Sequence, residues 1–245
     1  MVVIGGWLQQ GGVSLVQSLF SEEDEPLKPL VNVDSSDDLR CTNWLLHDSP
    51  ESVADALLQG MPRTAAPSTV EQEEEDGDQV GRAVAQAFRS TGSQVSTGDH
   101  VEVTIQANRK QAIVLTRLEV TVDKRSALRG DVMFVGAGCG GGVPARMYES
   151  DLDLPSPKFK LAKNSEVKKP VTFPYKVHST EPEFLVLESW TKGYVEWKAK
   201  LHWVADGKSG VTEIADHGKP FVTFPYREAY YGFNTYTMKY WEGVG

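Results

Sequence analysis

The sequence is poor in what several function classes require. Its 25 Lys and Arg are outnumbered by 34 Asp and Glu, for a formal net charge of -9, and no basic stripe with interleaved aromatics occurs. Affinity for a phosphate backbone rests on clustered cations that release counterions, so no nucleic-acid partner is expected. Only two cysteines are present, Cys41 and Cys139. They are too few and too far apart for a zinc ribbon, and fit either two reduced thiols or one disulfide. The five histidines, His47, His100, His178, His202 and His217, are never three or four residues from one another. That excludes the two-histidine helical metal motif, and neither a metal site nor a cofactor is expected.

The N-terminus lacks the marks of a targeting segment. Residues 1–6 are apolar, but Gln9, Gln10 and Gln17 interrupt the run well short of the ~20 apolar residues a spanning helix needs. A charged n-region and a small-residue cleavage site are both missing, so the segment does not read as a signal peptide. Trp7, Leu8, Leu15, Val16, Leu19 and Phe20 recur at helical spacing. They fit a terminal helix docked on the core, or the outer end of a transmembrane helix that begins before this reading frame and attaches the protein to a membrane.

What is present reads as globular and mainly β. Hydrophobic residues make up 40% and charged residues 24% of 245 residues, enough for a sizeable core, and all-β sandwiches of this length occur as one unit. Residues 1–29 are expected to be a membrane-proximal or mobile segment ending in the acidic stretch 21–29, and residues 30–245 one domain. Within it, residues 30–34 alternate like a strand, and Ser49-Pro50-Glu51 opens a helix that Gly60 stops. Residues 61–79, with Pro62, Pro67 and the acids 71–76, read as a linker. Val80, Ala83, Val84, Ala87 and Phe88 predict a second helix, completing a helical insertion around residues 50–90. After His100 the chain turns to β-branched, alternating runs with no crossover helix between them, which predicts an antiparallel two-sheet sandwich. Trp197, Ala199, Leu201 and Trp203 share one parity and should face the core, with Glu196, Lys198, Lys200 and His202 facing water. The turn Asp206-Gly207-Lys208-Ser209-Gly210 should close a hairpin. The pentapeptide VTFPY occurs at 171–175 and 222–226, where its proline favours strand ends or edges.

Few motifs point to chemistry. Residues 136–141 fit G-x-G-x-x-G but lead into another strand-like run, whereas a dinucleotide fingerprint must open a helix. Cys139 as a nucleophile would need a histidine base, and no local signature supplies one. Asp151 and Asp153 share one face of a strand, as a calcium site or acid–base pair would require, but acids beside prolines more often form a solvated strand end. Tyr230, Tyr231, Phe233, Tyr236, Tyr240 and Trp241 crowd the C-terminus. They fit a stacking platform for a sugar, a contact patch for a protein, or a cover over a sheet edge.

Residues 194–221, with Trp197, Asp206, Gly207, Asp216, Gly218, Pro220 and Phe221, form a pattern of an aromatic strand, an Asp-Gly hairpin, an acidic turn and a Gly-x-Pro-Phe ending. In this the chain resembles uncharacterised extracytoplasmic domains of actinobacterial single-pass membrane proteins, a family without known activity. The resemblance implies an extracytoplasmic, membrane-anchored protein, and an oxidising compartment in which the glycine loop around Cys139 lets its sulfur bond to Cys41. The expectation is a non-catalytic cell-surface binding or structural module with a protein or carbohydrate ligand. The alternatives are a hydrolytic or carbohydrate-active enzyme with a carboxylate site, and a cytosolic protein-interaction domain.

Overall fold

The computed structural model describes residues 28–34, 42–60, 70–136, 145–162, 172–225, 231–234 and 239–242. Along them run β1 (Pro29–Asp34), β2 (Thr42–Leu45), α1 (Pro50–Gly60), α2 (Val70–Ser90), β3 (Gln94–Val95) and β4 (His100–Ala107). Next come β5 (Ile113–Ser126), β6 (Val132–Val135), β7 (Arg146–Asp151), β8 (Lys160–Leu161), β9 (Tyr175–Val177) and β10 (Glu183–Trp190). The last five are β11 (Tyr194–Ala205), β12 (Lys208–Ile214), β13 (Phe221–Thr223), β14 (Tyr231–Asn234) and β15 (Lys239–Glu242). The chain is mainly β, as its alternation predicts, with two helices among the described residues. Neither is long and apolar enough to cross a membrane.

Local chemistry accounts for both helices. Pro50 begins α1 where no amide partner is needed, and the Ser52 N–H donates to Ser49 Oγ at 3.3 Å. α2 starts ten residues before the expected Val80. The acidic block 71–76 is therefore helix and not linker, because glutamate is a good helix former and acids in the first turns oppose the helix dipole. Its far end closes with Gly92 at φ 72. There the Gly92 N–H donates to the Arg89 carbonyl at 3.1 Å and the Ser93 N–H to the Phe88 carbonyl at 3.0 Å, a Schellman cap.

The strands form three five-stranded sheets instead of the expected two: β1-β4-β10-β7-β8, then β12-β11-β5-β9 with β13 also on β11, then β15-β14-β6-β2-β3. Nor are they wholly antiparallel, since β7 pairs parallel to β10 and β6 parallel to β14. Parallel neighbours need a long return connection, and the intervening chain supplies one in both cases. The first two sheets share one apolar cluster, from Val101, Val103 and Ile105 through Leu185 and Leu187 to Trp197, Ala199 and Leu201. The third sheet carries α1 and α2 on a second cluster, in which Trp44 stacks on Phe88 at 4.3 Å.

Alternation along β11 places Trp197, Ala199 and Leu201 at 0% exposure. Beyond a register shift between His202 and Trp203 the pattern loosens. Trp203 is half-buried, covers Gly210 on the paired strand and donates to Thr212 Oγ1 at 3.1 Å. On the opposite parity Lys198 and Lys200 are half-buried, Lys198 in an ion pair with Glu213 at 2.8 Å. The hairpin forms as expected but its turn is tighter, only Asp206 (φ 48) and Gly207 (φ 70), with Lys208, Ser209 and Gly210 already paired in β12. In VTFPY, Pro174 stands just before the edge strand β9 and Pro225 just beyond β13.

Candidate functional site

Polar groups converge where the three sheets meet. After β3, residues 96–99 cross to β4 as a loop pinned to the strand before Phe224. The Thr97 and Gly98 N–H groups donate to the Val222 carbonyl at 3.0 and 2.9 Å. Ser96 Oγ donates to the same carbonyl at 3.0 Å. A chain of donors then runs through the interior. Trp197 Nε1 donates to Thr223 Oγ1 at 2.9 Å, Thr223 and Ser189 hydroxyls meet at 2.7 Å, and Ser189 Oγ donates to the Gly98 carbonyl at 2.8 Å. Each hydroxyl both accepts and donates, so none of these buried groups is orphaned. Gly98 is required by close approach, because a Cβ there would lie 2.5 Å from Thr223 Oγ1 and 2.6 Å from Trp197 Nε1.

Asn43 and Asp99 complete the joint from the third sheet. Asn43 Nδ2 donates to Asp99 Oδ2 at 2.8 Å, while Oδ1 of each residue is buried without a partner. Burial pushes the Asp99 carboxyl up to about 7, against the lowering effect of the polar side chains of Ser96 and Asn43 and of the nearby His100 charge. The protonated form of Asp99 carries a donor into a joint where Asn43 Oδ1 has none. His100, the next residue, faces outward. It lies 3.5 Å from Glu102 and 3.8 Å from Glu188, and its pKa is raised by Glu188 first, against burial. Asp99 is thus held inside the joint while His100 is exposed, and the two do not converge on one reacting atom.

The residues singled out in the sequence have varied fates. Asp151 and Asp153 are not paired as acid and base. Asp151 Oδ1 accepts the Asp153 N–H at 3.0 Å. The Asp153 carboxylate accepts from Thr191 Oγ1 at 2.7 Å and from the Lys192 N–H at 3.0 Å, stapling one turn to the next. Among the described residues no group of three or more His, Cys, Asp or Glu is arranged to hold a metal. Tyr231 stacks on Tyr240 at 6.2 Å, and both pack with the fully buried Phe233 against the helix-covered cluster. Cys41, Cys139, Tyr230 and Tyr236 lie outside the described residues, as does the Trp241 side chain. The glycine motif after Gly136 and the N-terminal segment 1–27 also fall there.

Sequence reasoning passed over Asn43, Ser189 and Thr223. The signal was available: Ser189 continues the inward parity of Leu185 and Leu187, and Thr223 that of Phe221. Small polar residues at core positions call for buried partners. No family model matches the chain, and no curated protein or solved structure matches it either.

Proposed function

We propose that the chain is a non-catalytic binding or structural module. In this reading the two sheets that share the larger core face one another as a β-sandwich, antiparallel except at β7 and β10. The observation that carries the reading is the commitment of Asp99. The carboxyl most perturbed toward acid–base use is spent on Asn43 and the sheet joint, and its histidine neighbour points away from it. The resemblance of residues 194–221 supports an extracytoplasmic setting and a bond between Cys41 and Cys139, and the aromatics that crowd the C-terminus support a protein or carbohydrate as the ligand.

A hydrolytic enzyme is the second reading, favoured by that same carboxyl, since a value of about 7 suits a general acid at neutral pH. Glycoside chemistry asks for a second carboxyl on the far side of the scissile bond, however. The two readings separate in one experiment. The full chain is incubated with aryl glycosides and aryl esters, and the expected result is no release above the buffer blank. Turnover that disappears in a folded Asp99→Asn variant would overturn the module.

A further inference from the structure

We propose that Asp99 and Asn43 form a pH-sensitive latch between the loop 96–99 and the third sheet, closed in mild acid and released as the medium turns alkaline. The device lies within the joint described above. It goes beyond the binding-module reading and does not depend on whether the chain is catalytic.

The hydrogen bonds of the loop divide unequally between the two sides it joins. Toward the first two sheets it is tied at several points. Thr97 Oγ1 accepts the Val222 N–H at 3.0 Å, the Val222 carbonyl accepts the Thr97 and Gly98 N–H groups at 3.0 and 2.9 Å, and the Asp99 carbonyl accepts the Ser189 N–H at 3.3 Å. Toward β2 the backbone tie is the Ser96 N–H, which donates to the Asn43 carbonyl at 2.9 Å. It continues the ladder in which Trp44 pairs with Val95 and Leu45 with Gln94. Beside that rung the side-chain contact is Asn43 Nδ2 on Asp99 Oδ2 at 2.8 Å. A motion that brings water to the Asp99 carboxyl from the side of β2 therefore breaks these bonds and leaves the ties to Val222 and Ser189 in place.

The charge that the closed joint excludes turns this line of weakness into a switch. Oδ1 of Asp99 and Oδ1 of Asn43 are buried without a hydrogen-bond partner. The side chains set against the carboxyl, Asn43 and Ser96, are neutral, as are Ser189 of β10, Trp197 of β11 and Val222 and Thr223 of β13. The charge that acts on Asp99 is that of His100 at the head of β4, which itself lies 3.5 Å from Glu102 and 3.8 Å from Glu188. A buried carboxylate with neutral neighbours and an unpaired oxygen is costly, and is relieved either by keeping its proton or by reaching water. In the closed joint burial accordingly holds the proton on Asp99 up to about pH 7. The open joint exposes a carboxyl of ordinary acidity, about 4. Linkage then favours the open joint increasingly as pH rises, until the closed form ionises as well.

The test is native-state hydrogen exchange by NMR on the full chain across a series of pH values, corrected for intrinsic rates. The Ser96 amide should open at a lower free energy than the Leu187 amide in the middle of β10. Its opening equilibrium should rise roughly a hundredfold between pH 5 and pH 8 and level off above that. In Asp99→Asn, which keeps an oxygen for Asn43 Nδ2 and cannot ionise, Ser96 should open equally at both ends of the range. His100→Gln removes the charge that favours the carboxylate, so the levelling should move to higher pH. Equal opening of Ser96 at both ends of the range in the parent would overturn the latch, because Asp99 would then not govern it. Exchange of Ser96 only together with Leu187 would overturn it too, since the joint would part only when the whole chain unfolds.

Discussion

Asp99 shows how one buried side chain makes stability depend on pH. Its folded pKa of about 7 lies above the ordinary carboxylate value, so the folded chain holds this proton where the unfolded chain has released it. The stability it contributes is complete below pH ~4 and is lost as pH rises toward ~7, on the order of 4 kcal/mol in all. His100 acts in the same direction, since Glu188 and Glu102 raise its pKa and its contribution also fades with rising pH. An Asp99→Asn variant keeps an oxygen that can accept from Asn43 Nδ2 and cannot ionise. Urea midpoints measured at pH 5 and pH 8 should fall less in the variant than in the parent; an equal fall in both would show that Asp99 does not titrate in this window. Trp197 tests the other half of the joint. Trp197→Ala removes a fully buried ring and leaves Thr223 Oγ1 without its donor, at an expected cost of ~3 to 5 kcal/mol in denaturant unfolding.

Elements show which parts of the fold were legible. Strands from His100 onward follow their alternation closely, and the Asp206-Gly207 hairpin and the Ser49-Pro50 helix start stand where local chemistry puts them. These depend on neighbours in sequence. The start of α2 was hidden because an acidic run reads as solvated linker when the helix it belongs to is judged only by apolar spacing. Sheet membership was hidden for a different reason. β6 and β14 alternate or run apolar like any strand, and nothing local says that β6 pairs with β2 and β14 with β6 across long connections. The joint was half legible: polar residues at inward parity were visible in β10 and β13, but their partners come from other strands. A cap, by contrast, is local and testable. Gly92→Ala places a Cβ at φ 72, and should cost about 1 kcal/mol by urea unfolding; a neutral result would mean that the Schellman turn relaxes freely.

At the scale of the whole molecule, two apolar clusters must be made to fold as one. The third sheet is pressed from one side by α1 and α2 and from the other by Phe224, which packs with Leu45 and Val132 just past the end of β13. Phe224 is fully buried, and the Val222 carbonyl two residues earlier anchors the loop that carries Asp99. Among the described residues the helical unit and the larger core are thus bridged by the Phe224 contact and the polar joint in the same short stretch of chain, and by Gln94 Nε2 donating to the Tyr194 hydroxyl at 3.1 Å. Cooperativity should therefore depend on that stretch more than on either cluster's size. Native-state hydrogen exchange is expected to give the same opening free energy for amides of β6 and of β5 in the parent chain. Phe224→Ala should cost ~3 to 5 kcal/mol and split the two, with β6 opening first, because its sheet then keeps only the helices. If β6 already exchanges well before β5 in the parent, the bridge does not couple the clusters and the helical unit folds on its own terms.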